Sequence, residues 1–241
     1  MKLQIEKGFA RVFYDSLLCV AIYILAVSLP APPFMDQASF TGALRFLVLA
    51  PIGLILAHDG LSLEIGKSKK AWLCIPIAFI AFGNFLSLLF HGGYHGPDSY
   101  ELTKAIIFTL GTATVEEIVF RAGLIGALQH TSWKKTDILV SSLIFGLCHA
   151  LGILAGGAIL PSLAQAGYTF LLGLLVGVAF KVGGIIPAIG IHFLFNFLQN
   201  DLYVAMGGGA WDIPFFAWNI GCFLLAASVA FLLYWKKLRR N

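Results

Sequence analysis

Long apolar runs, separated by short polar connections, dominate the pattern of this chain. Eight runs approach or exceed the roughly 20 residues that an α-helix needs to cross a bilayer: residues 12–30, 41–57, 71–90, 104–129, 137–160, 163–181, 184–200 and 212–235. The pattern predicts an all-α, polytopic membrane protein in which about eight transmembrane helices form one bundle. Since no long polar linker or internal repeat divides the chain, we expect residues 1–241 to form a single integral-membrane domain.

Basic residues fall on alternate connections between these runs. They occupy the N-terminal segment, the second, fourth and sixth connections and the C-terminal end: Lys2, Lys7, Arg11, Lys67, Lys69, Lys70, Lys134, Lys135, Lys181, Lys236, Lys237, Arg239 and Arg240. The positive-inside rule places these connections, and therefore both termini, in the cytoplasm. Arg45, near the outer end of the second run, is expected to reach the membrane interface.

The composition excludes an ordinary water-soluble domain. Hydrophobic residues make up 59% of the chain and charged residues only 12%, with a mean hydropathy of +0.88. The net charge of +4 is spread over the connections rather than gathered in one patch, so it indicates membrane topology and not a nucleic-acid partner. The lipid bilayer is the expected surroundings of the chain.

Two carboxylates and a guanidinium lie in the middle of the fourth run, at Glu116, Glu117 and Arg121. An ionised group at that depth costs about 3 kcal/mol, so it marks a functional site by default. Glu117 and Arg121 are four residues apart and can pair on one helix face, while Glu116 points about 100° away. We expect the pair to orient Glu116. A purely structural ion pair between two helices is the alternative.

Imidazole and amide groups occupy a similar depth in two further runs. His149 lies mid-way along the fifth run, and His192 and Asn196 share one face of the seventh run. At 1.5 Å per residue, Glu116, His149 and His192 lie about 19, 18 and 12 Å from the cytoplasmic ends of their runs. The sequence therefore predicts that three helices bring these groups together.

This set of side chains suits the attack of water on a carbonyl carbon. Glu116 would act as general base, and His149 would hold or polarise the water. His192 and Asn196 would donate hydrogen bonds to the oxyanion of the tetrahedral intermediate. A zinc alternative stays open, because Glu116, His149 and His192 with a water resemble a catalytic zinc set. No His-Glu-x-x-His pattern is present, and we favour a glutamic-type reaction without a required cofactor.

At these residues the chain resembles the CAAX-protease and bacteriocin-processing (CPBP) family of intramembrane endopeptidases, to which type II CAAX prenyl proteases belong. The resemblance lies in three blocks within a motif-bearing core of about residues 104–200: Glu116-Glu117-x-x-x-Arg121, Phe145-x-x-x-His149 and His192-x-x-x-Asn196. It implies catalytic roles for Glu116, His149 and His192, with Asn196 stabilising the transition state. The remaining motif positions, Glu117, Arg121 and Phe145, would support the site.

The resemblance also implies the class of substrate, a membrane-anchored protein or peptide that is cleaved near its hydrophobic segment. The short connections favour a bacterial member of the family, in the inner membrane. Two other functions stay open. Glutamate and histidine at mid-membrane depth also build ion paths in transporters and proton-coupled carriers, although the paired broken helices of carriers are not seen. The chain could also be a non-catalytic immunity or scaffold protein.

Overall fold

The fold is described from a computed structural model. It describes residues 14–15, 17–26, 28–58, 71–83, 96, 98–129, 132–153, 158–198, 202 and 213–238. Every regular element in these ranges is a helix, which confirms the predicted all-α class. The basic connection at residues 59–70 lies outside the described part of the chain.

Within that part, eight helices follow the predicted apolar runs one by one. They are α1 Leu17–Ala26, α2 Gln37–His58, α3 Ile75–Gly83, α4 Ser99–Glu117, α5 Asp137–Ala150, α6 Ile159–Gly183, α7 Ile185–Asn196 and α8 Ile213–Leu238. A 3₁₀ turn at Ala71–Cys74 leads into α3, and a π-helix at Ile118–Ile125 continues α4. The hydrophobic pattern therefore located the helices correctly.

The structure supports the membrane-spanning prediction only in part. Among the described helices, Ser162–Gly183 within α6 has both the length and the apolar composition to cross a membrane. Shorter apolar helices are Leu17–Ala26, Ala71–Gly83, Asp137–Ala150, Ile185–Asn196 and Ile220–Leu232. The count of eight spans in one bundle stays a prediction.

The boundary between α5 and α6 lies earlier than the sequence pattern predicted. The fifth run was expected to continue to residue 160, but α5 ends at Ala150 and α6 already begins at Ile159. Pro161 explains the difference, because proline lacks the amide hydrogen that a helix interior needs but fits the first turn of a helix.

Glycine residues bring α5, α6 and α7 close together. A Cβ atom on Gly173 would lie 2.9 Å from Cβ of Ser142, and one on Gly177 would lie 2.7 Å from Cγ2 of Ile138. Only Gly184 separates α6 from α7, and its φ of 90° lies in the left-handed region that glycine prefers. The chain reverses at Gly184, so that α7 packs against both α6 and α4.

Two large groups of buried apolar side chains make up most of the core of the described residues. One joins α3, α6, α7 and α8, and the other joins α1, α2, α5 and the π-helix that follows α4. α4 packs against α2 on one side and against α7 on another. The C-terminal end of α4, which carries Glu116 and Glu117, is therefore buried between the two groups.

Candidate active site

A π-helix begins directly after the two glutamates. Glu116 and Glu117 are the last two residues of α4, and both are buried. In the following π-helix, Ile118–Ile125, the Gly126 amide donates to the carbonyl oxygen of Arg121, five residues earlier. Segments of π-helix are rare and are frequent at functional sites. No feature of the sequence predicted this one.

Glu117 lies between Arg121 and His192. Its Oε2 atom is 3.1 Å from Nε of Arg121, and both side chains are fully buried. Its Oε1 atom is 2.7 Å from Nδ1 of His192. Within the described part of the chain, neither Oε2 of Glu117 nor Nε of Arg121 forms a hydrogen bond, so charge rather than a hydrogen bond holds this pair. We expected Glu117 to orient Glu116, whereas in the structure it holds His192.

Glu116 contacts two side chains from other helices. The Tyr23 hydroxyl of α1 donates to Oε1 of Glu116 at 2.6 Å. On the other side, Oε2 of Glu116 lies 3.6 Å from Nε2 of His192, which is longer than a hydrogen bond. Sequence reasoning missed Tyr23, because one tyrosine in an apolar run is ordinary for a membrane helix.

His192 therefore faces a carboxylate with each of its ring nitrogens. Because a carboxylate can only accept a hydrogen bond, the short contact to Glu117 assigns a proton to Nδ1. Nε2, which faces Glu116, is then the ring nitrogen that is left for another partner. The distance from His192 is 2.7 Å to Glu117 and 3.6 Å to Glu116, so the contact to Glu117 is shorter by 0.9 Å.

Phe145 packs against both histidines of the predicted site. Its ring is fully buried, with its centroid 4.7 Å from the His149 ring and 5.9 Å from the His192 ring. Arg121 also contacts this ring, with Cζ 4.9 Å from the centroid. Both histidines of the predicted site and Arg121 therefore contact the same aromatic ring, an arrangement that the motif alone did not predict.

His149 and Asn196 are less closely connected to the glutamates. Nδ1 of His149 donates to the Phe145 carbonyl oxygen at 2.9 Å, which leaves Nε2 as its other polar atom. Asn196 lies one helical turn after His192 and is half-buried. Among the described residues, no hydrogen bond or ion pair joins His149 or Asn196 to Glu116.

The zinc alternative requires Glu116, His149 and His192 to surround one ion. In the described part of the chain, no three His, Cys, Asp or Glu side chains form a group that could hold a metal ion. Nε2 of His192 faces Glu116, but His149 packs on Phe145 and, within the described residues, forms no hydrogen bond or ion pair with Glu116. The three side chains therefore do not surround one ion in the observed arrangement, and we derive no step through a metal.

The part of the chain that carries both glutamates and both histidines matches a known protein family. Residues 98–198 match the family described as Type II CAAX prenyl endopeptidase Rce1-like. This segment includes both glutamates and both histidines, and the match supports the predicted relationship to CAAX proteases. No curated protein and no solved structure matches the chain. Tyr23 lies outside the matched segment.

Proposed function

We propose that this chain belongs to the CAAX protease family, whose model matches residues 98–198, and that it is an intramembrane endopeptidase. The family implies an integral membrane protein and a protease. The substrate would be a membrane-anchored protein or peptide, cut near its hydrophobic segment. The reaction would be of the glutamic type, with water as the nucleophile.

One observation carries this proposal, the facing pair of Oε2 of Glu116 and Nε2 of His192. Their separation of 3.6 Å is too long for a direct hydrogen bond, but both atoms can bind the same water at about 2.8 Å. The other ends of the two side chains are fixed, by Tyr23 and by Glu117. Such an arrangement favours a water held ready for deprotonation.

The reaction would proceed in two steps. In the first, Oε2 of Glu116 takes a proton from water, and the hydroxide oxygen adds to the carbonyl carbon of the scissile bond. In the second, Glu116 gives that proton to the amide nitrogen, and the carbon–nitrogen bond breaks to give an amine and a carboxylic acid. The acid then passes its proton to the amine, so that the products leave as an ammonium and a carboxylate. Asn196 and the imidazolium form of His192 would donate to the oxyanion between the two steps.

His149 packs on the same Phe145 ring as His192. Because its Nδ1 donates to the Phe145 carbonyl, the neutral ring offers Nε2 as an acceptor. That atom suits a role in holding the water or in moving a proton, and it does not suit an oxyanion donor.

The proposed setting is the inner membrane of a bacterium, with eight spans and both termini in the cytoplasm. The alternation of basic connections along the sequence supports this orientation. A reporter fused after the last residue, Asn241, tests it. We expect a C-terminal alkaline phosphatase fusion to be inactive and a C-terminal green fluorescent protein fusion to be fluorescent, and the reverse result would place this end of the chain outside the cytoplasm.

The function is tested by replacing the two facing groups. In cells that lack the native gene, we expect Glu116→Gln and His192→Ala to abolish fragments that the wild-type chain produces from membrane proteins, as detected by mass spectrometry of peptide termini. Glu101→Gln is the matched control, because Glu101 lies on the same helix but its side chain is 45% exposed. Identical fragments from all variants, at equal amounts of folded protein, would refute the protease and favour a non-catalytic protein.

One feature of the site also suits a proton-coupled carrier. Tyr23, Glu116, His192 and Glu117 form a series of titratable groups in contact with one another, and such series conduct protons in transporters. Purified protein in liposomes loaded with a pH-sensitive dye distinguishes the two functions. We expect no proton flux that depends on Glu116. A flux that Glu116→Gln removes would favour the carrier.

A further inference from the structure

Tyr23 reaches the centre of the site from a helix that the family match does not include. Its side chain is buried, with 7% of its surface exposed, and its hydroxyl lies 2.6 Å from Oε1 of Glu116. This length is typical of a hydrogen bond to a charged acceptor. An ionised carboxylate has no proton to give, so Tyr23 is the donor.

This contact makes the two oxygens of Glu116 different from each other. Oε1 is occupied by Tyr23, and Oε2 is the oxygen that faces His192. The last torsion of a glutamate side chain is broad and roughly two-fold, so it does not by itself fix the carboxylate plane. The hydroxyl of Tyr23 supplies that restraint.

Arg45 is a cation close to the Tyr23 hydroxyl. The positive charge of its guanidinium acts on the Tyr23 hydroxyl. The group lies against α4, with Cζ 4.0 Å from the centroid of the Phe108 ring, and its Nε and Nη1 atoms are buried. Arg45 was expected to reach the membrane interface, and in the structure its side chain is half-buried. A cation beside a hydroxyl polarises the O–H bond and strengthens its donation.

We propose that Tyr23, supported by Arg45, is a positioning residue that holds Glu116 with Oε2 as its proton-accepting oxygen. This role rests on the proposed function, because Tyr23 acts only through Glu116. It assigns part of the active site to α1 and α2, the first half of the chain.

The kinetic test compares Tyr23→Phe with the wild-type chain in detergent, using a fluorescence-quenched peptide that carries a farnesylated cysteine as the substrate. Losing one hydrogen bond to a charged group should lower kcat about tenfold to a hundredfold, with KM nearly unchanged. Tyr168→Phe is the matched control, because Tyr168 packs on Phe223 between α6 and α8 and should keep the wild-type kcat. A Tyr23→Phe variant with wild-type kcat, or with a changed KM alone, would overturn the proposal.

Coupling between the residues provides a second criterion. In the Glu116→Gln background, which lacks the base, Tyr23→Phe should have no further effect on residual cleavage. Arg45→Met should lower kcat in the wild-type background and have little effect once Tyr23 is phenylalanine. Additive losses would show that the residues act independently and would contradict the series Arg45–Tyr23–Glu116. Equal melting temperatures in detergent verify that each variant is folded.

Infrared spectroscopy tests the contact without any cleavage. The difference spectrum between the wild-type chain and Tyr23→Phe should contain a shifted carboxylate stretch, and the same difference measured in the Glu116→Gln background should lack it. If this band is present while no substrate is cut, the proposed function fails although the contact exists. If cleavage depends on Glu116 and the band is absent, the role of Tyr23 fails and the proposed function stands.

Discussion

Replacing Glu117 by glutamine removes one charge from the centre of the site while nearly preserving its shape. Glutamine keeps an oxygen for Nδ1 of His192 but leaves the guanidinium of Arg121 without its counter-charge. Both Glu117 and Arg121 are 0% exposed, so water cannot take over the lost interaction. Removing one partner of a buried ion pair costs about 3–5 kcal/mol. We expect the free energy of unfolding of Glu117→Gln to fall by that amount.

The free energy can be measured by unfolding the protein in mixed micelles with rising dodecyl sulfate, followed by circular dichroism of the helices. Glu101→Gln is the control, since Glu101 pairs with Lys104 at 3.4 Å on the same helix but their side chains are 45% and 29% exposed. Exposed pairs contribute about 0–1 kcal/mol. The difference in the free energy of unfolding between Glu117→Gln and Glu101→Gln therefore measures the effect of burial and not the loss of a carboxylate alone.

The double variant Glu117→Gln, Arg121→Met makes the test sharper. With both charges gone, neither partner of this pair is left as an unpaired buried ion, and we expect the double variant to lose less stability than the sum of the two single variants. A loss below about 1 kcal/mol for Glu117→Gln, or single effects that simply add, would refute the argument. The buried pair would then not be the interaction that stabilises this end of α4.

Three shorter predictions concern packing, the transition state and metal content. Gly146→Ala should lower the free energy of unfolding by about 1–3 kcal/mol, because the added Cβ would lie 2.7 Å from the Ala166 carbonyl oxygen. Gly167→Ala is the control, since its Cβ meets open space and should not destabilise the protein. Equal melting temperatures of the two variants would contradict the prediction. Asn196→Ala should reduce kcat about 10²–10³-fold with little change in KM, and a raised KM with normal kcat would instead indicate substrate binding. Dialysis against a chelator should leave the cleavage rate unchanged, and zinc that co-purifies stoichiometrically and restores lost activity would contradict the metal-free reaction.

The parts of this structure that the sequence could predict are those that depend on one helix at a time. Apolar runs located each helix, because burial in lipid or in the core requires the same apolar side chains. The spacing of Glu117 and Arg121 predicted their proximity, because residues four apart share a helix face. Helix ends were less accurate, as the early start of α6 before Pro161 illustrates.

Contacts between helices could not be predicted in the same way. Which glutamate holds His192 depends on how α4 and α7 are rotated about their axes. The π-helix after Glu117 also shifts the face on which later residues such as Arg121 lie, and no local sequence signal announces it. Nothing in the apolar run of α1 distinguished Tyr23 from an ordinary packing tyrosine. Its contact with Glu116 depends on how α1 packs against α4, which the sequence of one helix does not determine.

The unequal contacts of His192 argue against a purely structural ion-pair network. A network that serves stability alone is expected to satisfy all of its buried polar atoms, since an unmade hydrogen bond is expensive where water is excluded. Here Glu117 holds one ring nitrogen at 2.7 Å, while Glu116 stays 3.6 Å from the other, and Tyr23 holds Glu116 from the opposite side. Each of the two side chains is thus bound at its far end, and their facing atoms lie apart by more than the length of a hydrogen bond. Two polar atoms at this separation can bind a third group together, and in the reaction that we propose this group is the attacking water.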